Sequence, residues 1–312
     1  TMAEKFLVKR SACARCPIGC GRVVKLDDQV IGGPEYETLW SFGSDCGVSD
    51  MNTVIKANHL CNEYGMDTIS VGATIAAAME LKQKGYIKDE ELNGVALEFG
   101  NNESVVAWTE MIGKGEGLGA KMAMGSYELC DSYGMAELSM SVKKQELPAY
   151  DPRAIQGQAV QYATSNRGGC HVRGYLISPE ILGLPEKLDR FSIDKKPEWA
   201  KIFQDLTAVI DSMGMCLFTS FALGANEYSE LYNASAGTQY DADKLMIAGE
   251  RIYNIERVFN IRAGVGGDQD TLPKRLLEEP IVDGPSKGEV ARLSEMLPKY
   301  YEVRGWVSGE PT

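Results

Sequence analysis

Long apolar runs are absent from this sequence. No stretch reaches the roughly eighteen consecutive apolar residues that a membrane-spanning helix needs, so a membrane protein is not expected. The first ten residues lack both an apolar signal core and a small-residue cleavage site, which predicts a cytoplasmic location. Histidine is also scarce. Only His59 and His171 occur, so any chemistry that depends on an imidazole must use one of them.

Positive charge is in short supply as well. The chain has 32 Lys and Arg residues against 44 Asp and Glu residues, which gives a net charge of −12. A field of that sign opposes non-specific binding to nucleic acid, so no nucleic-acid partner is expected. For the same reason an acidic electron carrier would need a local basic patch on the surface, and composition alone does not locate one.

Strand-like alternation is rare, and helical periodicity dominates the 312 residues. Only 6–9 and 21–25 have the pattern of short strands. The sequence therefore predicts an all-α, multihelical fold, with helices near 50–65, 68–84, 103–113, 118–124, 198–213, 225–234 and 241–260. In the last of these, an apolar stripe predicts inward-facing side chains at Leu245, Ala248, Ile252, Ile255 and Phe259.

A polar stretch rich in Pro and Gly, 145–169, lies near the middle of the chain. This composition is typical of loops that connect larger elements. Because a chain of this length holds about two domains, the stretch predicts a division into two helical domains, 1–145 and 146–312.

Three of the eight cysteines form a dense group, Cys13-Ala-Arg-Cys16-Pro-Ile-Gly-Cys20. In a reducing compartment, clustered cysteines are more often metal ligands or catalytic thiols than disulfides. Three thiolates this close can bind one metal centre from a single loop, and Pro17 and Gly19 supply its turns. A cubane iron–sulfur cluster needs a fourth thiolate. A zinc site completed by a further Cys or a His is the alternative.

The remaining cysteines are scattered. Cys46, Cys61, Cys130 and Cys170 have no motif around them, and each is expected to be a small buried apolar residue. Cys216 follows Gly214, where a helix is predicted to end, and is one candidate for the fourth ligand. The residues alone nevertheless do not favour it over Cys46 or Cys170.

With this cysteine motif the chain resembles the tungsten-containing aldehyde:ferredoxin oxidoreductases, whose cluster is bound by three cysteines at this spacing and a distant fourth. The resemblance covers essentially the whole chain, and it implies a [4Fe–4S] cluster on Cys13, Cys16, Cys20 and Cys216. Further matches to the family are Gly33-Pro34-Glu35-Tyr36-Glu37, Tyr150-Asp-Pro-Arg153 and Asn166-Arg-Gly-Gly-Cys170-His171.

Two further motifs resemble the pterin-binding motifs of that family, which have the form Asp-x-x-Gly-Leu followed by Asp or Cys. The matching segments are Asn62-Glu-Tyr-Gly65-Met66-Asp67 and Asp211-Ser-Met-Gly214-Met215-Cys216. Each is expected to be a helix end at a Gly, with a side-chain oxygen that accepts hydrogen bonds from pterin N–H groups. The resemblance thus implies a tungsten or molybdenum bis-pterin, with cofactor-binding residues Asn62, Gly65, Asp67, Asp211, Gly214 and Met215.

The chain departs from the family in three places. The β-rich N-terminal domain of the family is absent, so the chain is expected to be the C-terminal helical part of a longer polypeptide. Lys56-Ala-Asn-His59 stands where some members have a Glu-x-x-His pair that binds iron between subunits. A lysine cannot replace a carboxylate ligand, and iron is therefore not expected at this position. A homodimer is still compatible with the sequence. Asn62 replaces Asp in the first pterin motif.

The family oxidises aldehydes to carboxylic acids and passes the electrons through the cluster to ferredoxin. Transferred by motif position, this implies Glu37 as the general base, His171 as a hydrogen-bond donor, and Tyr150 as a donor to the substrate carbonyl. The resemblance implies a small aldehyde as substrate. The motifs do not determine the shape of the pocket that would bind it. Taken alone, Glu37 would be a solvated acid, His171 a structural histidine and Tyr150 a packed aromatic residue.

Two alternatives stay open from the sequence. The chain could be the tungsten subunit of a related reductase that acts on an aromatic acyl-CoA thioester. It could also be a helical iron–sulfur or zinc module without catalysis of its own. If it is a fragment of an aldehyde:ferredoxin oxidoreductase, it is expected to be inactive without the N-terminal domain.

Overall fold

The computed structural model of the protein describes residues 2–312, and the chain forms two compact units, Thr1–Ala149 and Tyr150–Thr312. Both units consist mainly of helices, with a few short strands, which confirms the all-α, multihelical prediction. Among the helices of residues 2–312, none combines the length and the apolar character that crossing a bilayer requires.

Within residues 2–149, the first unit contains seven α-helices and five strands. Its helices are α1 Met2–Lys5, α2 Tyr36–Leu39, α3 Met51–Tyr64, α4 Thr68–Gln83, α5 Asn102–Lys114, α6 Leu118–Met122 and α7 Ser126–Ser132. Its strands are β1 Leu7–Ser11, β2 Gly21–Leu26, β3 Gln29–Gly32, β4 Ser141–Val142 and β5 Gln145–Glu146. The strands β1, β2 and β3 form one antiparallel sheet in that order, and β4 pairs with β5.

The helix boundaries around α3 and α4 follow from their capping residues. The Asp50 carboxylate accepts a hydrogen bond from the Thr53 backbone N–H at 2.9 Å, and Asp67 accepts one from Ser70 N–H at 2.8 Å. These bonds satisfy backbone donors that have no partner inside the helix. Between the two helices, Gly65 has a φ of 68°, a left-handed conformation that glycine adopts without strain. The start and end that the sequence predicted for the first of these helices are therefore confirmed.

The three-stranded sheet packs one face against α3. Val24 and Leu26 on β2 are buried together with Ile55 of α3. Successive residues of a strand point to opposite faces, so Lys25 between them is exposed to solvent. The strands lie on either side of the cysteine loop, because β1 ends at Ser11 and β2 begins at Gly21. The sheet therefore fixes both ends of that loop.

The core of the first unit is formed by the long helices. Ile75 and Met79 of α4 and Trp108 of α5 are almost completely buried, and Phe42 packs with them. The Trp108 indole N–H donates a hydrogen bond to the carbonyl of Ala96 at 2.8 Å, so the ring is buried without losing its polar partner.

The second unit contains six helices and two strands. They are α8 Gln156–Thr164, α9 Lys196–Ser212, α10 Ala225–Ala236, α11 Ala242–Arg262, α12 Lys274–Glu278, α13 Leu293–Arg304, β6 Trp306–Val307 and β7 Glu310–Pro311. The central helix is α9, which packs against α8, α11 and α13. The stretch 145–169, which was expected to connect the two helical domains, contains α8, whose nine residues are all buried.

The polar residues of α8 explain why its sequence resembles a loop. Gln158 donates a hydrogen bond to Gln161 at 2.6 Å, and Gln161 donates one to the carbonyl of Cys170 at 3.0 Å. Both glutamine side chains are completely buried. Buried amides are tolerated when they are hydrogen-bonded, and this arrangement is not visible as a hydrophobic pattern.

The inward face of α11 differs from the predicted apolar stripe. Ile255 and Phe259 are 68% and 70% exposed, so their prediction as core residues is wrong. The buried positions of this helix are instead Leu245, Gly249, Tyr253 and Arg257. The Arg257 guanidinium forms a completely buried ion pair with Asp270 at 2.6 Å, and Tyr253 donates a hydrogen bond to the carbonyl of Thr164 at 3.0 Å. Specific polar contacts, rather than apolar periodicity, determine the orientation of this helix.

Gly249 sets how closely α11 approaches α9. A Cβ atom at this position would lie 2.2 Å from the backbone oxygen of Asp205. The substitution Gly249→Ala is therefore expected to force the two helices apart and to lower the free energy of unfolding by about 1–3 kcal/mol. Urea denaturation followed by circular dichroism measures this change. The matched control is Arg251→Ala on the exposed face of the same helix, and an equal loss in both variants would contradict the close-packing argument.

Candidate functional site

The cysteine loop is held by backbone contacts and by one arginine. The Cys16 N–H donates a hydrogen bond to the carbonyl of Cys13 at 3.0 Å, which closes a tight turn. The Arg10 guanidinium, on β1, donates to the carbonyls of Ile18 at 2.6 Å and Gly19 at 3.3 Å. Cys13 and Cys20 are exposed and Cys16 is half-buried. The loop therefore presents its three thiols at an accessible surface.

Cys216 lies in the second unit, just after the end of α9, and is also exposed. The Thr219 hydroxyl donates a hydrogen bond to the Cys216 carbonyl at 2.6 Å. The neighbouring residues Met215 and Leu217 pack against a hydrophobic cluster that includes Tyr228. The backbone on both sides of the Cys216 thiol is thus anchored while the thiol itself faces solvent.

The other four cysteines form a separate class. Cys46, Cys61, Cys130 and Cys170 are all buried, which confirms the expectation for them. Burial raises the pKa of the Cys61 and Cys130 thiols to about 12, and it raises the pKa of Cys46 well above its usual value. Metal ligation requires a thiolate, which these environments oppose. Within residues 2–312, no three side chains of His, Cys, Asp or Glu are arranged so as to hold a metal ion.

The two predicted pterin motifs adopt the same backbone geometry. Gly65 and Gly214 both have a φ of 68°. After each glycine, a methionine N–H reaches back five residues, Met66 to the carbonyl of Cys61 at 2.9 Å and Met215 to that of Ile210 at 3.1 Å. This 6→1 bond is the mark of a Schellman helix end. No atom lies within 4 Å of a Cβ built on either glycine, so both turns face open space.

The acidic residues of the two motifs, Asp67 and Asp211, both accept hydrogen bonds from within the protein. Asp67 caps α4, and together with Met66, Ser70, Thr74 and Met122 it lines a cavity of about 290 Å³. At the second motif, one oxygen of Asp211 accepts hydrogen bonds from the guanidinium groups of Arg167 and Arg173, each at 2.6 Å.

Arg173 is the anchor of the second motif. Its side chain is 2% exposed and also forms an ion pair with Glu256 of α11. Charge-assisted hydrogen bonds to a carboxylate are roughly twice as strong as neutral ones. The two arginines therefore fix the helix end that precedes Cys216. Asn62 lies in the last turn of α3 and is exposed.

In the second unit, His171 contacts the rings of Tyr150 and Tyr175, and two phenylalanines extend this aromatic group from Tyr175. The rings of Tyr150 and His171 are 5.4 Å apart, and the hydroxyls of Tyr150 and Tyr175 are 3.5 Å apart. The Tyr175 ring meets Phe221 edge-on at 5.9 Å, and Phe221 stacks on Phe218. Phe218 and Phe221 belong to the turn Leu217–Phe221, directly after Cys216. The structure thus brings the predicted residues Tyr150 and His171 together, beside the segment that carries Cys216.

The charge state of His171 follows from its surroundings. Burial lowers the pKa of the imidazole to about 4. His171 is therefore neutral at physiological pH, and a neutral imidazole has one N–H donor and one acceptor nitrogen. This state suits hydrogen bonding to an uncharged carbonyl substrate.

Glu37 lies in α2 of the first unit and is largely shielded from solvent. Its carboxylate accepts a hydrogen bond from the backbone N–H of Ala149 at 2.9 Å. Burial raises the pKa of Glu37 above its ordinary value, and the bond from Ala149 opposes this increase in part. A carboxyl with a raised pKa is better matched to proton transfer near neutral pH than an exposed one.

Three residues of these sites carry no role in the sequence motifs. They are Arg10, Arg173 and Tyr175, which respectively brace the cysteine loop, anchor Asp211 and extend the aromatic group. Two of them could have been found from the sequence by their closeness to His171, because Arg173 and Tyr175 follow it by two and four residues. Nothing in the sequence singles out Arg10, since its partners are backbone carbonyls.

Comparison with known proteins identifies the family of the chain. The family "Aldehyde ferredoxin oxidoreductase, domains 2 & 3" matches residues 1–312. Tungsten-containing aldehyde ferredoxin oxidoreductases of Pyrococcus furiosus and Thermococcus kodakarensis are 53% and 52% identical, each over 98% of this chain. The chain spans 51% of the length of each of these relatives.

A solved structure has the same fold. It is the active site complex BamBC of benzoyl coenzyme A reductase in complex with 1,5-dienoyl-CoA, with a TM-score of 0.80 and 19% identity. The match covers 99% of this chain and 52% of the other. At this identity the likeness establishes the fold alone. The family match over the full sequence is the stronger result, and the chain belongs to the aldehyde ferredoxin oxidoreductase family.

Proposed function

We propose that this chain is the helical part of a tungsten-pterin enzyme that oxidises aldehydes to carboxylic acids and passes the electrons to a ferredoxin. The observation that carries the proposal is the division of the cysteines. The four that match the cluster ligands of the family, Cys13, Cys16, Cys20 and Cys216, are the four that are exposed or half-buried. The other four cysteines, which do not match cluster ligands of the family, are buried.

The residues present fit the proposed cofactors. The four accessible thiols would supply the sulfur ligands that a [4Fe–4S] cluster requires, once the cluster draws them together. The helix ends at Gly65 and Gly214 offer open surface beside anchored acidic side chains, where pterin N–H groups would be accepted. When bound, the metal-pterin group supplies the two-electron oxidation, and the cluster passes electrons onward singly.

The protein side chains would then orient the substrate and move protons. Conversion of an aldehyde and water into a carboxylic acid releases two protons and two electrons. Glu37 in its ionised form takes a proton from the water that supplies the oxygen. Tyr150 donates its hydroxyl hydrogen to the aldehyde oxygen, and neutral His171 donates a second hydrogen bond. The rings of Tyr175 and Phe221 provide an apolar wall for the carbon chain of the aldehyde.

The proposal is tested with the full-length protein that contains this chain, purified without oxygen and supplied with tungstate. We expect aldehyde-dependent reduction of a low-potential viologen dye, about four iron atoms per chain and bound tungsten. Zinc in stoichiometric amount with no iron would show a structural zinc module instead. Reduction of an aromatic acyl-CoA without any aldehyde oxidation would favour the related reductase.

The isolated 312-residue chain is expected to behave differently from the full-length protein. The chain spans about half the length of its relatives, and we propose that the rest of the full-length protein supplies part of the cofactor-binding surface. We expect the isolated chain to fold but to oxidise aldehydes at less than about a hundredth of the full-length rate. Parallel dye assays measure the ratio, and comparable rates would show that this chain alone is sufficient.

A further inference from the structure

The sheet and loop around Cys13, Cys16 and Cys20 carry an unusual local charge. Between residues 5 and 25 there are six basic residues and no acid, in a chain whose net charge is −12. Two of these basic residues, Arg10 and Arg22, form hydrogen bonds or ion pairs with neighbouring groups of the protein. Arg10 braces the loop, and Arg22 donates hydrogen bonds to the carbonyls of Pro34 and Cys20 and pairs with Glu35.

The other four bases are directed to solvent. Lys5, Lys9, Arg15 and Lys25 are exposed, and within residues 2–312 none of them forms an ion pair. The strand register places Lys9 opposite Val23, and Lys25 opposite Val30. Cross-strand partners share a face of a sheet, and so do residues two apart on one strand. Lys9, Val23, Lys25 and Val30 therefore lie on the same face, which is opposite to the face that packs on α3.

Apolar side chains accompany these charges. Val8 is 51% exposed, Val30 61% and Ile18, in the cysteine loop, 38%. Protein interfaces commonly combine exposed apolar groups with a rim of charge. We call this surface the cluster-loop face and define it by Lys9, Arg15, Ile18, Lys25 and Val30.

We propose that the cluster-loop face is the docking surface for an acidic electron-carrier protein. The inference rests on the proposed function, because it names the surface through which that reaction would release its electrons. The overall charge of the chain repels an acidic partner, so association needs a local region of opposite sign. The cluster-loop face supplies it, and its residues Arg15 and Ile18 lie in the loop that carries three of the four proposed cluster ligands.

A second basic face exists on α11 and provides a comparison. From Lys244 onward, its exposed residues are Lys244, Ile247, Arg251, Ile255, Phe259 and Arg262. Lys244 forms an ion pair with Asp241, which leaves Arg251 and Arg262 as the uncompensated charges of that face. This face carries fewer uncompensated charges than the cluster-loop face and none of the proposed cluster ligands. It is therefore the matched control.

The experiment uses the full-length enzyme and a purified acidic ferredoxin. The test variant is Lys9→Glu with Lys25→Glu, and the control variant is Arg251→Glu with Arg262→Glu. For each protein, the KM for ferredoxin is measured at low and high salt, and the Kd for oxidised ferredoxin is measured by calorimetry. Dye-linked aldehyde oxidation is measured in parallel, since a small dye reaches the cluster without a docked protein.

We expect the test variant to raise the ferredoxin KM and Kd by about tenfold or more at low salt, and to weaken their salt dependence. Its dye-linked rate and its iron content should stay within about twofold of the parent. The control variant should bind ferredoxin as the parent does.

Three results would overturn the proposal. One is an unchanged Kd in the test variant, and another is an equal or larger effect in the α11 control. The third is protection of Lys9 and Lys25 from amine labelling in the full-length enzyme without ferredoxin, because another part of the polypeptide would then cover this face. Failure of the proposed function is distinguishable, since it would abolish dye-linked oxidation in the parent enzyme, while the calorimetric Kd still tests the surface.

Discussion

Replacing Cys216 by alanine is expected to remove most of the iron from the full-length protein. A [4Fe–4S] cluster bound by four cysteines loses one of its four protein ligands in this variant, and the remaining three lie on an exposed loop where the damaged cluster meets solvent. Iron and acid-labile sulfide per chain, measured after anaerobic purification, should fall from about four to less than one. Dye-linked aldehyde oxidation should be lost together with the iron.

The matched control for this prediction is Cys130→Ala. Cys130 is completely buried, and its raised pKa opposes thiolate formation. The control should keep its iron, although the small cavity lowers the free energy of unfolding by about 1 kcal/mol. Retention of four iron atoms in Cys216→Ala would reject the proposed ligand set. Loss of iron from a folded Cys130 variant would point to a different fourth ligand.

Local signals in the sequence were enough to predict α3, α4, α5 and α6 of the first unit, whereas α1, α2 and α7 were not predicted. Asp50 before α3 and Gly65 after it mark a start and an end that depend only on neighbouring backbone groups. The same holds for the second pterin motif, where Gly214 ends the helix as expected. Such features could be predicted because a cap acts within about one turn of the helix.

Features that depend on distant contacts were predicted less well. The orientation of α11 is set by Gly249 against Asp205 and by Arg257 with Asp270, and these contacts join parts of the chain that no periodicity relates. The apolar residues Ile255 and Phe259 consequently appeared to be core residues although they are exposed. Buried polar helices such as α8 are missed for a similar reason, because their partners are known only once the fold is known.

The candidate site also contains both local features, which could be predicted, and contacts between distant residues, which could not. The cysteine spacing and the two Gly-terminated motifs are local, so the sequence located them. The supporting side chains are not local: Arg173 joins Asp211 to Glu256, and Tyr175 joins Tyr150 to Phe221. The roles of Glu37, His171 and Tyr150 came from family resemblance. Burial raises the pKa of Glu37 and lowers that of His171, and these directions support the roles as proposals.

Replacing Glu37 by glutamine is expected to lower kcat for aldehyde oxidation by about a hundredfold or more, because glutamine cannot accept the proton that is taken from water. The side-chain oxygen of glutamine still accepts the hydrogen bond from Ala149, so the local fold should be preserved. A small change in KM with a large change in kcat is the expected pattern, since the group acts on the reacting water rather than on aldehyde binding. Steady-state kinetics in the dye assay of the full-length protein measure both constants.

The pH dependence provides a second measure of the same role. A general base acts in its ionised form, so the parent rate should fall as the pH drops through the pKa of Glu37, which burial raises above 4.5. His171, with a pKa of about 4, stays neutral across this range and adds no further change near neutral pH. The acidic decline should disappear in Glu37→Gln. The control Glu35→Gln alters an exposed acid two residues before Glu37, which is paired with Arg22, and it should keep the parent kcat and pH profile. If Glu37→Gln retained more than half of the parent kcat with an unchanged pH profile, the proton acceptor would have to be another group.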